Sequence, residues 1–229
     1  MADFPSLNQT LENKMSKTVA ILGTGVVGIS LAKGFAARGD QVIFATRDAG
    51  GNKAVEAVAA VPTARTATFA EAAQRADMAV VALPWSGLEA GLKAAGEHNL
   101  AGKLVIDASN PLDFSSGAPQ LAIGFTDSAG EHVQRLLPLA KVVKAFNTIG
   151  AAHMVEPKFA DGTPDMFIAG NDAGAKGETV AILRTFGWRD AIDFGDITTS
   201  RLLEPLAMMW ITYGLRNDHW THGVSFLGK

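Results

Sequence analysis

The chain has 229 residues, 48% of them hydrophobic and 19% charged, with a formal net charge of −3 and no cysteine. This composition describes a compact globule and excludes a disordered chain; the scattered basic residues offer no nucleic-acid surface. Without cysteine there is no disulfide, thiolate metal site or thiol nucleophile, which fits a reducing, cytoplasmic setting.

Residues 1–16, MADFPSLNQTLENKMS, are polar and lack the apolar centre of a signal peptide. They read as a disordered tail ahead of a second methionine, Met15. No run in the chain approaches the roughly eighteen apolar residues that span a bilayer, so a soluble protein is expected.

The pattern then becomes specific. An apolar, β-branched run over 18–22 meets Gly23-x-Gly25-x-x-Gly28, a helical pattern follows up to Gly39, and a second apolar run covers 42–45. Strand, glycine loop, helix and strand in this order make a dinucleotide-binding half-site. Gly23 permits the tight turn, Gly25 lets backbone amides approach a pyrophosphate, and Gly28 lets the helix pack close to the sheet. The elbow residues Thr24, Val26 and Val27 then present backbone N–H groups and a positive dipole end to phosphate.

The end of the second strand selects the coenzyme. An NAD site places Asp or Glu there for the ribose 2′-hydroxyl; this strand ends Ala45-Thr46-Arg47-Asp48. Alternation along 42–45 leaves Thr46 as the next position facing the ligand. Arg47 can stack on adenine and hold a 2′-phosphate in its planar fork of donors, with Lys53 as a third contact. Asp48 is the rival acid, within the usual window for NAD, but it begins the loop. The assignment is NADP(H).

Further along, 53–60 reads as a short helix, 64–68 as a weak strand and 69–75 as an alanine-rich helix. A buried strand over 78–83 ends at Leu83-Pro84-Trp85-Ser86, a helix covers 87–95, and a strand over 103–107 is followed by Ala108-Ser109-Asn110-Pro111. Residues 112–127 read as loop, 128–136 as helix and 141–146 as a sixth strand. Apolar runs alternating with helices predict a doubly wound parallel sheet, a Rossmann domain over 17–149. Its ligands lie beyond the carboxyl ends of the strands, which marks 23–28, 84–86, 109–111 and 147–149.

The remainder, 150–229, reads as a small C-terminal αβ and helical part. It has a strand over 165–169, a helix over 173–186, a short extended piece at 191–193 and a long apolar helix from 205 to 215 or on to 222. That helix is apolar on most faces, which predicts burial, and we expect a homodimer through it. Pro205 must either begin the helix or kink it, leaving 200–204 irregular and available to a ligand.

Carbonyl reduction needs an acid such as Lys, His or Tyr, yet none of the five histidines directly follows a strand of the nucleotide domain. A metal set would need Asp218, His219 and His222, and none is assigned. Asn147 and Thr148 supply an amide and a hydroxyl suited to a carboxamide or a ring edge, or they merely end the strand. Trp85 is a stacking wall or a packing residue. Arg201 either pairs with Glu204 or reaches an anionic cofactor.

LGTGVVG at 22–28, FATR at 44–47, LPW at 83–85, KAFNTIGA at 144–151 and SRLLEPL at 200–206 resemble the F420-dependent NADP oxidoreductase family and its relative, the oxidoreductase domain of the STEAP metalloreductases. The likeness runs from 18 to about 228. It implies hydride transfer between NADPH and a deazaflavin (F420) or flavin ring, with the C-terminal part forming the second-ring pocket and the dimer. Positioning of the second ring falls to Asn147, Thr148, Ile149 and Arg201. The chain departs from the F420 enzymes at Asn147, where they carry histidine, and at Pro205 and Ala207, where they carry hydroxyls. The metalloreductases share Asn-Thr and reduce a flavin. Two other readings stand beside this one: an NADP-dependent reductase of a small carbonyl or imine, and an NADPH-sensing module without turnover.

Overall fold

In the computed structural model, residues 16–228 are described. The tail expected over 1–16 therefore lies outside the described residues except for Ser16, whose hydroxyl donates to the Gly39 carbonyl at 2.7 Å.

The first half alternates strand and helix: β1 (Thr18–Leu22), α1 (Val26–Ala37), β2 (Gln41–Ala45), α2 (Asn52–Ala60), β3 (Arg65–Ala67), α3 (Phe69–Arg75), β4 (Met78–Val81), α4 (Trp85–Ala95) and β5 (Leu104–Asp107). A small hairpin, β6 (Leu112–Asp113) and β7 (Gln120–Leu121), interrupts the stretch expected to be loop. Then come α5 (Ala129–Leu136), β8 (Lys141–Lys144), β9 (Met166–Gly170), α6 (Ala173–Thr185), β10 (Ala191–Asp193) and α7 (Ser200–Asn217).

Eight strands form one sheet in the order β10-β9-β8-β5-β4-β1-β2-β3. All its pairings are parallel except β8 with β9. The sheet is thus continuous from the nucleotide-binding half into the C-terminal strands. Its two faces are visible in the sequence. Val19 and Ile21 of β1 join one core with Leu31 and Phe35 of α1 and Ile182 of α6, whereas Ala20 and Leu22 join the other with Phe69, Leu88 and Val133 of α3, α4 and α5. Period-two alternation of wholly apolar strands fills both layers. A third, smaller core seats α7 through Leu203 against Phe167 and Ala169 of β9.

Several boundaries differ from the sequence expectation. α4 begins at Trp85, because Pro84 sits extended as its N-cap (φ −66°, ψ 150°); proline suits helix entry, since it needs no N–H there. β8 stops at Lys144, two residues early, and Phe146 takes φ 64°, a left-handed conformation that turns a bulky residue's chain sharply out of the sheet. α7 starts at Ser200 and passes through Pro205 to Asn217, ending short of His222. The 200–204 segment is therefore regular helix, and the missing proline N–H is absorbed inside it. Nor is α7 buried all round: Leu203, Ala207 and Gly214 face the protein, while Leu202, Met209 and Tyr213 are exposed.

Candidate active site

Strand register sets the level of the site. Ala45, Leu22, Val81, Asp107 and Lys144 are successive partners in one row across the sheet. The loops following β2, β1, β4, β5 and β8 therefore leave the sheet together, on one edge. Over the first four of them opens a cleft of about 730 Å³.

The glycine elbow forms its floor. Gly23 has φ +127°, and a Cβ there would stand 2.4 Å from the Ala82 carbonyl oxygen. A Cβ on Gly28 would stand 2.4 Å from the Gly23 oxygen, so strand and helix meet too closely for any side chain. Gly25 differs: a Cβ there meets nothing within 4 Å, because it would project into the cleft. Gly25 is the N-cap of α1, and no side chain caps that helix or α2, whereas Thr68, Ser128 and Asp172 cap α3, α5 and α6. With α4, entered through Pro84, three helix N-termini without a side-chain cap thus border the cleft, with Thr24, Val26 and Val27 on its wall. Open amides, a glycine cradle and a positive dipole end fit a pyrophosphate.

One end of the cleft is basic. Arg47 and Lys53 line it, exposed, with no ion-pair partner among the described residues. Thr46 lines the cleft beside them, its hydroxyl donating to the Asp48 carbonyl at 3.1 Å and accepting from the Asp48 N–H at 3.2 Å. The Asp48 carboxylate accepts from the Gly50 N–H at 3.0 Å. Both residues are occupied in shaping the loop that presents Arg47.

The other end carries no charge. Leu83, Pro84, Trp85, Ala108, Ser109, Asn110, Leu112 and Phe114 surround it. Trp85 lies on the first turn of α4 against His132, ring centroids 5.3 Å apart. None of the five histidines lines the cleft. Phe69, Leu112 and Phe114 escaped sequence reading, the last two because 112–127 reads as unstructured loop.

Asn147, Thr148 and Ile149 are almost wholly buried, at 5%, 3% and 6% exposure, and stand behind this end rather than on it. Asn147 and Asn110 are joined twice. The Asn147 side-chain amide donates to Asn110 Oδ1 at 3.1 Å, and that of Asn110 donates to the Asn147 carbonyl at 2.9 Å. Asn147 also donates to the Leu203 carbonyl at 3.1 Å, while its own Oδ1 is buried without a donor.

Arg201 does not pair with Glu204. Regular helix at 200–204 points it at α5, where it grips Glu131 with two hydrogen bonds of 2.8 and 2.5 Å. These hold the Glu131 carboxyl below its ordinary range against the opposing effect of burial. Glu204 instead accepts from the Ala129 and Gly130 N–H groups at 2.9 and 3.0 Å and meets Lys144 at 2.8 Å. Lys144 is the largest omission of the sequence reading. It is fully buried, bonded also to Asp107 at 2.9 Å and the Ser109 carbonyl at 2.6 Å. Burial disfavours its ammonium, but Asp107 and Glu204 together hold its pKa above the ordinary value. The available signal was a lysine inside the apolar strand KVVKAF, at an inward-facing position.

A mostly parallel sheet with its strand-end cleft over an uncapped glycine elbow defines a Rossmann-type dinucleotide-binding protein. Comparison with known proteins narrows this. The family model described as NADP oxidoreductase, coenzyme F420-dependent, matches residues 18–111. The F420-dependent NADP reductase of Methanothermobacter marburgensis is 30% identical over 221 residues, covering 90% of this chain and 96% of its own. A crystal structure from Arthrobacter sp. FB24, assigned as an F420-dependent NADP-reductase, superposes with a TM-score of 0.87 at 39% identity, covering 92% of this chain and 99% of that one. Metalloreductase STEAP3 of Rattus norvegicus is 26% identical over 85% of this chain but only 37% of its own. The chain belongs to the F420-dependent NADP reductase family.

Proposed function

We propose that this protein transfers hydride between NADP(H), held across the glycine elbow, and a deazaflavin or flavin-like ring stacked at the uncharged end of the cleft. One observation carries the reading: the ionisable side chains of the cleft, Arg47, Asp48 and Lys53, gather at the end that takes the adenosine, and the end that takes the nicotinamide has none. A carbonyl or imine acceptor would need a proton donor there. Two stacked redox rings need only to be positioned, since the rings carry the chemistry themselves.

The chain's own residues then have distinct tasks. The α1 N-terminus with Gly23 and Gly25 holds the pyrophosphate, and Arg47 with Lys53 grips the 2′-phosphate. Leu83, Pro84 and Trp85 wall the nicotinamide, and Asn110, held by Asn147, presents an amide to it. Thr148 and Ile149 pack beneath, and Arg201 braces α7 against α5. The C-terminal part, from about 150, completes the acceptor side. Within the same reading the protein is a cytoplasmic homodimer, joined through the exposed apolar stripe of α7.

Anaerobic oxidation of NADPH by F420, FMN, FAD, ferric chelates and small ketoacids tests the assignment. Turnover is expected with one of the ring acceptors. Turnover with ketoacids alone, or tight NADPH binding with no turnover, would overturn it. F420 against flavin is decided by the ratio of kcat/KM values in the same assay.

A further inference from the structure

We propose that Lys144 is a positioning residue, whose buried ammonium holds the Asn110–Asn147 amide pair and helix α7 in register at the nicotinamide end of the cleft. The inference rests on the function proposed above for its consequence, but not for its geometry. An ammonium has three N–H donors, and here they meet three acceptors: the Asp107 carboxylate at 2.9 Å, the Glu204 carboxylate at 2.8 Å and the Ser109 carbonyl at 2.6 Å. All four residues are buried, Lys144 and Asp107 completely.

These contacts close a ring through three segments of chain, 109–110, 144–147 and 203–204. From Lys144 it runs to the Ser109 carbonyl and, one residue on, to Asn110. The amide of Asn147 bridges Asn110 to the Leu203 carbonyl. One residue beyond Leu203 stands Glu204, which returns to Lys144. Asp107 ties the ring to β5, its Oδ1 accepting from both the N–H and the hydroxyl of Ser109. Glu204 ties it to α5 through the Ala129 and Gly130 amides. Phe146, between Lys144 and Asn147, holds φ 64° while fully buried. Such a conformation persists only where the surroundings over-determine it.

Stability alone does not call for such a ring, because apolar residues of similar volume commonly replace a buried ion cluster without loss. Direction does. Of its members only Ser109 and Asn110 line the cleft, so a shift of the ammonium reaches the site as a shift of the Asn110 amide. Displacements on the order of 1 Å cost about a hundredfold in rate when reacting groups must be aligned.

The test combines Lys144→Met with Glu204→Gln, which removes two of the three charges, leaves the α5 amides an acceptor, and leaves Asp107 to its two hydrogen bonds from Ser109. In the folded double variant NADPH affinity by calorimetry should stay within about threefold of wild type, because the ring touches neither elbow nor Arg47. Exchange of the Asn147 side-chain amide, followed by ¹⁵N NMR, should quicken about tenfold or more. Single-turnover hydride transfer from 4-deuterated NADPH should slow about ten- to hundredfold, with a larger isotope effect. An Asn147 amide as protected as in wild type, or an unchanged transfer rate, would overturn the proposal. Should the double variant not fold, Glu204→Gln alone is judged by the same amide exchange. That readout needs no acceptor, so absence of turnover in the wild type counts against the proposed function and not against Lys144.

Discussion

Arg47 sits exposed at the cleft's basic end with no ion-pair partner among the described residues, whereas its neighbours Thr46 and Asp48 are bonded into the loop. A guanidinium left free beside the uncapped N-terminus of α2 is suited to a doubly charged phosphate. Arg47→Ala should weaken NADPH binding about ten- to hundredfold, in line with roughly 1.5–3 kcal/mol for a charge-assisted hydrogen bond. NADH binding should hardly change. Titration calorimetry with both coenzymes checks this, and equal weakening of the two would refute the phosphate contact. The identity of Arg47 at a strand end was readable from sequence. The hydrogen bonds that engage the Thr46 hydroxyl in a local turn were not, because they depend on how the loop folds back on itself.

Among elements, α7 shows most clearly where local patterns mislead. A proline in mid-pattern argues for a break, since it removes one N–H and crowds the carbonyl four residues back. The helix nevertheless continues from Ser200 through Pro205. Its first turn is held by the Glu204 and Arg201 contacts with α5 and by the Leu203 carbonyl accepting from Asn147, and tertiary anchors of this kind override propensity. Pro205 is itself exposed, so Pro205→Ala restores a helical hydrogen bond without disturbing the core. We expect a gain of about 1–3 kcal/mol, read as a melting temperature several degrees higher. A lower one would mean that the packing of Leu203 requires the proline's geometry.

At the scale of the molecule, two properties follow from how the parts assemble. His153 lies partly buried against Phe159, ring centroids 4.5 Å apart; burial first, and then the charge of His222, lower its pKa from the ordinary 6.5. The unfolded chain therefore binds more protons than the folded one as pH drops below about 6.5, and stability falls there. Thermal melts should show a lower midpoint at pH 5.5 than at 7.5, and His153→Asn should flatten that slope. An identical slope in the variant would clear His153 of the effect. Lys144 acts oppositely: its raised pKa contributes stability below about 10.5 that is lost as pH climbs through the folded value. The second property is association. Leu202, Leu206, Met209 and Tyr213 follow one another at helical spacing, and all but the half-buried Leu206 are exposed, a stripe suited to a second copy of itself. Light scattering at micromolar concentration should give twice the 24.0 kDa chain mass, and Met209→Glu should return one chain. A wild-type mass of a single chain would remove the dimer.

The linear chain by itself determined the parallel sheet, the glycine elbow and the cation at the strand end, because these depend on neighbours a few residues apart: strand alternation, helix entry and the residue after a strand. Only the folded molecule decided that Lys144, Asp107 and Glu204 would meet, that Arg201 would face Glu131, and that Asn147 would stand behind the cleft holding Asn110. Those partners lie 37 to 70 residues apart in sequence. Nothing local relates the ends of β5, β8 and α7 until strand register and helix packing bring them to one level.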